Sequence, residues 1–521
     1  NLLTINATDG VGSGDAIETN VASININNTG AGVTGGIEID ESNNIDVIEL
    51  QNDAATGVVT LNADGDITVV ATGSGGLGVS ALAGMITLDA AGANSDVFVN
   101  HTVSNDGAGI TIEAYDSVQF TAEGDVTSAN AGNVIIRSDA DNVDGASDAI
   151  VMADTTVIDS GSGTIALTAS NGDVTLTGGN ITLGNLISGD TTNNAVTITS
   201  DAAVLDAGDT GGAKDVDAGS GGLTIDAVDG IYSGDSLQVR VDYIDIANSA
   251  GTFVLDVNNA ATNAVTISSL TTVAGSIKYE QIGNQSMDII TLTTGDGVID
   301  IDNTGGTTAG IAINSTVGNG VRADTADDVV TIDSTGTISE AVGDTNLDVQ
   351  GFNVTLNAVE GIGATTSAGA IDVIASTVSA TNTTSNGIFV NSLGGTAAGV
   401  GAVNFSSIQA QTAGNVELFS ATDTDLTDID SAAGLVQVLT SSGNILIGDI
   451  DAATSAKVDT DAGSINDQQT PDLVVVDITA GTNIELDATT GIGNLAAREL
   501  ELNAPSMAAD TLAGEINIAV D

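Results

Sequence analysis

Short bursts of strict two-residue alternation, each closed by Gly, Asp, Asn or Ser, recur along the whole of this chain. Val59/Leu61, Ile67/Val69, Ile86/Leu88, Val97/Val99, Ile110/Ile112, Val118/Phe120, Val134/Ile136 and Ile165/Leu167 follow one another, and the pattern runs on through Val265/Ile267, Ile299/Ile301, Val330/Ile332, Val416/Leu418, Ile445/Ile447 and Ile484/Leu486. A period of two sends alternate side chains to opposite faces of a strand, so each burst predicts a short strand with one buried and one wet face. Helical periodicity is confined to one modest candidate, Asn494 to Asn503. The chain reads as all-β.

A recurring unit punctuates the strands: Gly, then Asp, Asn or Glu, then an aliphatic residue. It stands at Gly65-Asp66-Ile67, Gly132-Asn133-Val134, Gly172-Asp173-Val174, Gly179-Asn180-Ile181, Gly414-Asn415-Val416, Gly443-Asn444-Ile445 and Gly514-Glu515-Ile516. Gly followed by Asp or Asn predicts a corner with positive φ that feeds a strand. The interior must be thin, because 41% of the residues are hydrophobic while only 2% are aromatic and none is Trp. A narrow tube stacked from short strands needs only Val, Ile, Leu and Ala, whereas a wide globular core leans on large aromatics. The two prolines, Pro471 and Pro505, leave almost the whole chain able to donate to a sheet.

These features predict a single-stranded parallel β-helix, a β-solenoid in the form of an elongated rod. Coils of roughly 20 to 25 residues would stack at about 4.8 Å each. One continuous solenoid over 1–521 is expected, with polar loop insertions or degenerate coils near 201–222, 247–263, 302–328, 421–433 and 459–472, the first places to look for a binding face. Antiparallel sandwiches would need linkers and protected edges, and no compositionally distinct linker occurs. Disorder is disfavoured by the abundance of Val and Ile.

Seven Lys plus Arg stand against 70 Asp plus Glu, a formal net charge of −63. That balance excludes the cationic footprint that a nucleic-acid backbone requires and repels anionic lipid surfaces. It suits a salty or calcium-containing medium, where cations screen the self-repulsion of a compact polyanion. Without cysteine there are no disulfides, thiolate metal sites or thiol nucleophile. No run of 18 apolar residues predicts a membrane insertion in this segment. The chain opens at Asn1 without Met or a signal peptide and reads as a processed product or a fragment.

Phrases such as Gly172-Asp173-Val174-Thr175-Leu176-Thr177, Ile478-Thr479-Ala480-Gly481-Thr482-Asn483-Ile484 and Gly443-Asn444-Ile445-Leu446-Ile447 resemble the repeats of bacterial exoproteins of the filamentous haemagglutinin type and of autotransporter passenger domains. The resemblance is one of repeat texture over most of the chain. It implies a right-handed parallel β-helix exported to the cell surface, where it adheres to cells or builds extracellular layers. The Asn- and Pro-rich secretion motifs of that family are not found here.

Catalytic chemistry has little to work with. His101 is the lone imidazole, and the cations Arg137, Lys214, Arg240, Lys278, Arg322, Lys457 and Arg498 are scattered singly. Tyr115, Tyr232, Tyr243 and Tyr279 are too dispersed to predict an aromatic sugar platform. The chain is therefore expected not to be an enzyme and to require no cofactor. Calcium is the one ion the composition favours, with candidate oxygen ligands at Asp423, Asp425, Asp428 and Asp430 and at Asp324, Asp327 and Asp328; a second set is Asp206, Asp209, Asp215 and Asp217. A solvated acidic face is the competing and preferred reading of those clusters, since neither an EF-hand loop nor a calcium nonapeptide repeat is present.

The expected function is that of a non-catalytic extracellular structural or adhesive surface protein. Its partners would be itself, through end-to-end or lateral assembly, or glycans or proteins of a host or neighbouring cell surface. The alternative is a self-assembling subunit of a filament, sheath or surface layer, because Leu2, Leu3 and Ile5 begin the alternation at once and Ile516, Ile518 and Val520 carry it to the last residues. A glycan-cleaving β-helix enzyme or spike is the third possibility.

Overall fold

The computed structural model describes every residue except 31–33, 71–77, 141–147, 170–178, 209–213, 232–235, 251–253, 307–308, 324–326, 342–344, 365–368, 395–400, 470–474, 494–498 and 521. The described residues form strands and turns without a helix, and they divide into two compact units, Asn1–Asn263 and Ala264–Asp521. Each unit is a parallel β-solenoid whose strands pair with the equivalent strand of the next coil.

In the first unit a coil is typically three short strands joined by corners. Ile86–Ala90, Val97–Val99 and Val103–Asn105 make one coil, and Ile110–Ala114, Val118–Phe120 and Val126–Ser128 make the next. The pairing is parallel and in register, so identical positions stack into columns. Val59, Ile86, Ile110, Val134, Ile165, Val196, Leu223 and Ile244 form one such column. Leu61, Leu88, Ile112, Ile136, Leu167, Ile198, Ile225 and Ile246 form the column beside it, and no residue of either is more than 1% exposed. Fully burying an aliphatic side chain is worth about 1.5–3 kcal/mol, so these columns carry the stability of a core that owns few aromatics.

Where a strand turns the corner, the inward position takes a small or amide side chain. Asn28 Nδ2 donates to Asn52 Oδ1 at 2.9 Å, and Asn52 Nδ2 donates to the carbonyl of Val58 at 3.0 Å, so the buried amides satisfy each other and the turning backbone.

The second unit repeats the scheme. Ile277, Ile299, Val330, Val354, Val378, Phe405, Leu426 and Ile447 stack on one face. Ile408, Ile429, Ile450, Ile478 and Leu502 stack on another, and Val390, Leu418, Val438, Val458 and Leu486 on a third. Fully buried Tyr279 keeps its hydroxyl satisfied by donating to Gln281 Oε1 at 2.9 Å.

Other expectations are refined. Of the two readings of the polar stretches, loop insertions or degenerate coils, the described residues favour coils, because the stretches contain coil strands: Ala203–Asp206 and Val216–Asp217 in 201–222, Leu255–Asn259 in 247–263, Ile311–Ile313 and Gly320–Ala323 in 302–328, Thr424–Leu426 and Ile429–Ser431 in 421–433, and Ser464–Asp467 in 459–472. One or two buried aliphatics per strand, such as Val204 or Ile465, are enough to hold a strand whose backbone is paired above and below. The helical candidate 494–503 ends as the strand Leu500–Asn503, with 494–498 outside the described residues. Coil lengths also vary more widely than the 20 to 25 expected, since paired positions one coil apart are separated by 18 residues from Leu500 to Ile518 and by 32 from Val118 to Ile150.

The recurring glycine has two separate reasons. Gly443 adopts φ +100, a backbone that L side chains rarely adopt, whereas at Gly65 a Cβ would sit 2.2 Å from Asn44 Oδ1. The first is the corner expected from the sequence; the second is close coil-to-coil approach, which the sequence reading did not anticipate.

Candidate functional site

The Asp or Asn of the recurring unit is a clasp between coils. Asp66 Oδ1 accepts the main-chain N–H of Asp96 at 3.1 Å, and Asp96 Oδ1 accepts that of Ser117 at 2.9 Å. Asn133 Oδ1 takes the N–H of Thr164, and Asn180 Oδ1 that of Ala203, each at 3.1 Å. In the second unit Asn415 Oδ1 takes the N–H of Leu435 at 3.2 Å and Asn444 Oδ1 that of Ser464 at 3.1 Å. In each case the side chain beside a strand start satisfies the donor at the corresponding place one coil on, where the ladder has not yet begun. A short side chain carrying an acceptor oxygen reaches, so Asp and Asn fill most of these positions and Ser117 and Ser276 make the same contact to Ala149 and Val298.

This use accounts for part of the acidity that suggested calcium. Asp423 Oδ1 accepts the main-chain N–H of Asn444 at 2.6 Å, and Asp328, 6% exposed, accepts that of Gly297 at 3.2 Å. Asp425 lies in the strand Thr424–Leu426, Asp428 Oδ2 accepts from Gln409 Nε2 at 3.2 Å, and Asp430 lies in the strand Ile429–Ser431. Asp327 is exposed, and Asp324 and Asp209 fall outside the described residues. The four aspartates 423, 425, 428 and 430 are thus spread along one coil, and none joins a group of three close carboxylates among the described residues.

Close carboxylates occur instead at positions the sequence reading passed over. One oxygen each of Asp300, Asp302 and Asp333 lies within 4.8 Å of the others, all half-buried on an outer face. Register creates this group: Asp302 pairs with Glu280 on one side and Asp333 on the other. Burial, then the neighbouring negative charges of Asp300, Asp333 and Glu280, push Asp302 up to about 6. Glu340, Asp348 and Asp372 form a second group, 9%, 0% and 2% exposed, with the same 4.8 Å spacing. These are the described residues whose spacing could hold a hard cation such as calcium.

A longer acidic column follows the Ile408/Ile429/Ile450/Ile478/Leu502 stack. Asp428, Asp449, Asp477 and Glu501 each directly precede one of these aliphatics, and Asp430 and Asp451 lie in register beside them. With Gln409, Gln411 and Thr479, Asp430 and Asp451 line a groove of about 490 Å³. Burial and then the charges of Asp451, Asp430 and Asp428 push Asp449 up to about 6. Asp428 and Asp430 were legible as acidic; their partners 449, 451, 477 and 501 come from later coils and meet them only through register. An Asp or Glu standing directly before an aliphatic was the available signal.

The remaining chemistry is sparse. His101 sits half-buried between the strands Val97–Val99 and Val103–Asn105. Arg137 pairs with Glu113 at 2.8 Å, Arg240 with Asp217 at 2.6 Å, and Lys457 with Glu485 at 3.2 Å and Asp459 at 3.8 Å. Arg498 lies outside the described residues. No family model, curated protein or solved structure matches this chain.

Proposed function

We propose that this chain is a non-catalytic extracellular element, structural or adhesive, whose acidic outer faces meet other surfaces while its columns supply stiffness. The observation that carries the reading is the inter-coil clasp. Acidic and amide side chains, the main chemistry this composition offers, are spent coil after coil on joining one turn to the next. The resemblance to exoproteins of the filamentous haemagglutinin type and autotransporter passengers supports the same reading, and calcium enters as a counter-ion to the acidic columns. Two experiments test it. Protease added to intact producing cells should cleave the protein at the surface, and labelled protein should bind cells or their glycans saturably at physiological salt. Turnover of a glycan that is lost on replacing one carboxylate would overturn it.

A second reading, a self-assembling subunit of a filament, sheath or layer, draws on the in-register parallel stacking of coils, which a further copy of the same coil could extend. Sedimentation velocity across a hundredfold concentration range tests it, a constant value arguing against assembly.

A further inference from the structure

The clasp takes a special form where the residue whose N–H is captured is itself acidic and buried. Asp477 Oδ2 accepts the main-chain N–H of Glu501 at 2.9 Å, while the N–H of Asp477 donates to the carbonyl of Glu501 at 2.8 Å. Asp477 is 1% exposed and Glu501 5%. Both carboxyls are therefore shut away from water at the same step of the stack. Removing two adjacent carboxylate charges from water together is prohibitive, so one of the pair keeps a proton. Among the described residues, the charges that act on Asp477 are those of Asp467 and Glu501, both negative. Asp467, 1% exposed and capped by the N–H of Gln469 at 2.7 Å, faces it from the strand Ser464–Asp467, and Asp449 precedes Ile450 in the coil stacked on Ile478. The same construction recurs at Asp348, whose Oδ2 accepts the N–H of Asp372 at 2.9 Å while its own N–H donates to the Asp372 carbonyl at 2.9 Å.

We propose that Asp477 and Glu501 form a proton latch in the second unit: one proton kept by this buried pair holds the strands Ile478–Ala480 and Leu500–Asn503 closed on each other, and its loss to a base in solution loosens them. Burial first, then the neighbouring Glu501 carboxyl and the charge of Asp467, push Asp477 up to about 8 against the opposing pull of the Glu501 N–H, which places the release just above neutral pH. The sign follows from linkage. The closed coil binds the proton more tightly than an opened one, in which the carboxyl returns to about 4, so protection is greatest in acid and falls as pH rises through the closed-state value.

Native-state amide exchange by mass spectrometry on the full chain, corrected for intrinsic exchange, reads the latch directly. Between pH 7 and 9, above the range where Asp302 and Asp449 titrate, peptides covering 478–480 and 500–503 should lose about tenfold in protection in the wild type, while peptides covering 86–114 should not. Asp477→Asn retains an acceptor oxygen for the Glu501 N–H and Glu501→Gln retains a hydrogen-bonding side chain, so each should flatten the profile. Should either variant fail to fold, the wild-type profile decides alone. Constant wild-type protection from pH 7 to 9, or variants that lose protection as the wild type does, would overturn the latch.

Discussion

If the clasps work through an acceptor oxygen, the two replacements of Asp96 must separate cleanly. Asp96 receives the N–H of Ser117 at 2.9 Å, and Ser117 is only 4% exposed, so its donor has little recourse to water. Asp96→Ala removes the acceptor. A hydrogen bond to a charged group is worth about 1.5–3 kcal/mol, with the lower end fitting a half-exposed carboxylate. Against that loss stands relief, because burial and then the charges of Asp116 and Asp66 hold the Asp96 carboxyl above its ordinary range, so that ionising it costs stability at neutral pH. The net expectation for Asp96→Ala is a loss of about 1 kcal/mol. Asp96→Asn keeps the oxygen and sheds the charge, as Asn133 and Asn180 do in the same unit. It should equal or exceed the wild type at pH 7. That advantage should vanish toward pH 4, because a raised carboxyl destabilises only above its unfolded value and ceases to matter once both states are protonated. Pulse proteolysis in urea, read on fragments of the first unit at pH 7 and pH 4.5, measures both variants. An Asn variant as unstable as the Ala variant at pH 7 would refute the clasp as an oxygen-acceptor device.

Other outcomes follow from the same features. Ile112→Ala, at a position with no exposure, should cost the first unit about 3 kcal/mol in urea unfolding through lost burial and an unfilled gap. Gly443→Ala should destabilise the second unit by more than about 1 kcal/mol, since φ is +100 and the new Cβ would lie 2.5 Å from the Asp423 nitrogen; exchange in 445–447 should rise. Asp302 should titrate near pH 6 in a carboxyl-resolved NMR experiment, and Asp302→Asn should remove the stability that the second unit loses as pH rises from about 4 through 6.

The interior was legible because it is written locally. Val97/Val99, Ile110/Ile112 and Ile445/Ile447 are buried as their alternation demanded, and even short bursts point the right way. What stayed hidden is vertical. The step between linked positions is 21 residues from Asp96 to Ser117 but 32 from Asp125 to Val157, so no fixed period tells which residue lies above which. That is why Asp302 and Asp333 could not be seen as neighbours, and why the aspartates of 423–430, close in sequence, were grouped although each belongs to a column of its own. The polar stretches misled for a related reason: Val204 and Val216 look isolated along the chain, but each completes a stack.

Uneven steps over unbroken columns have an evolutionary consequence. A residue gained or lost at a corner changes the length of one coil and leaves the strand alignment of every other coil untouched, so indels are absorbed where they arise. Such a framework can lengthen, shorten or vary its corners by small genetic accidents without renegotiating its core. It also offers the protein engineer a ladder of permissive insertion points one coil apart.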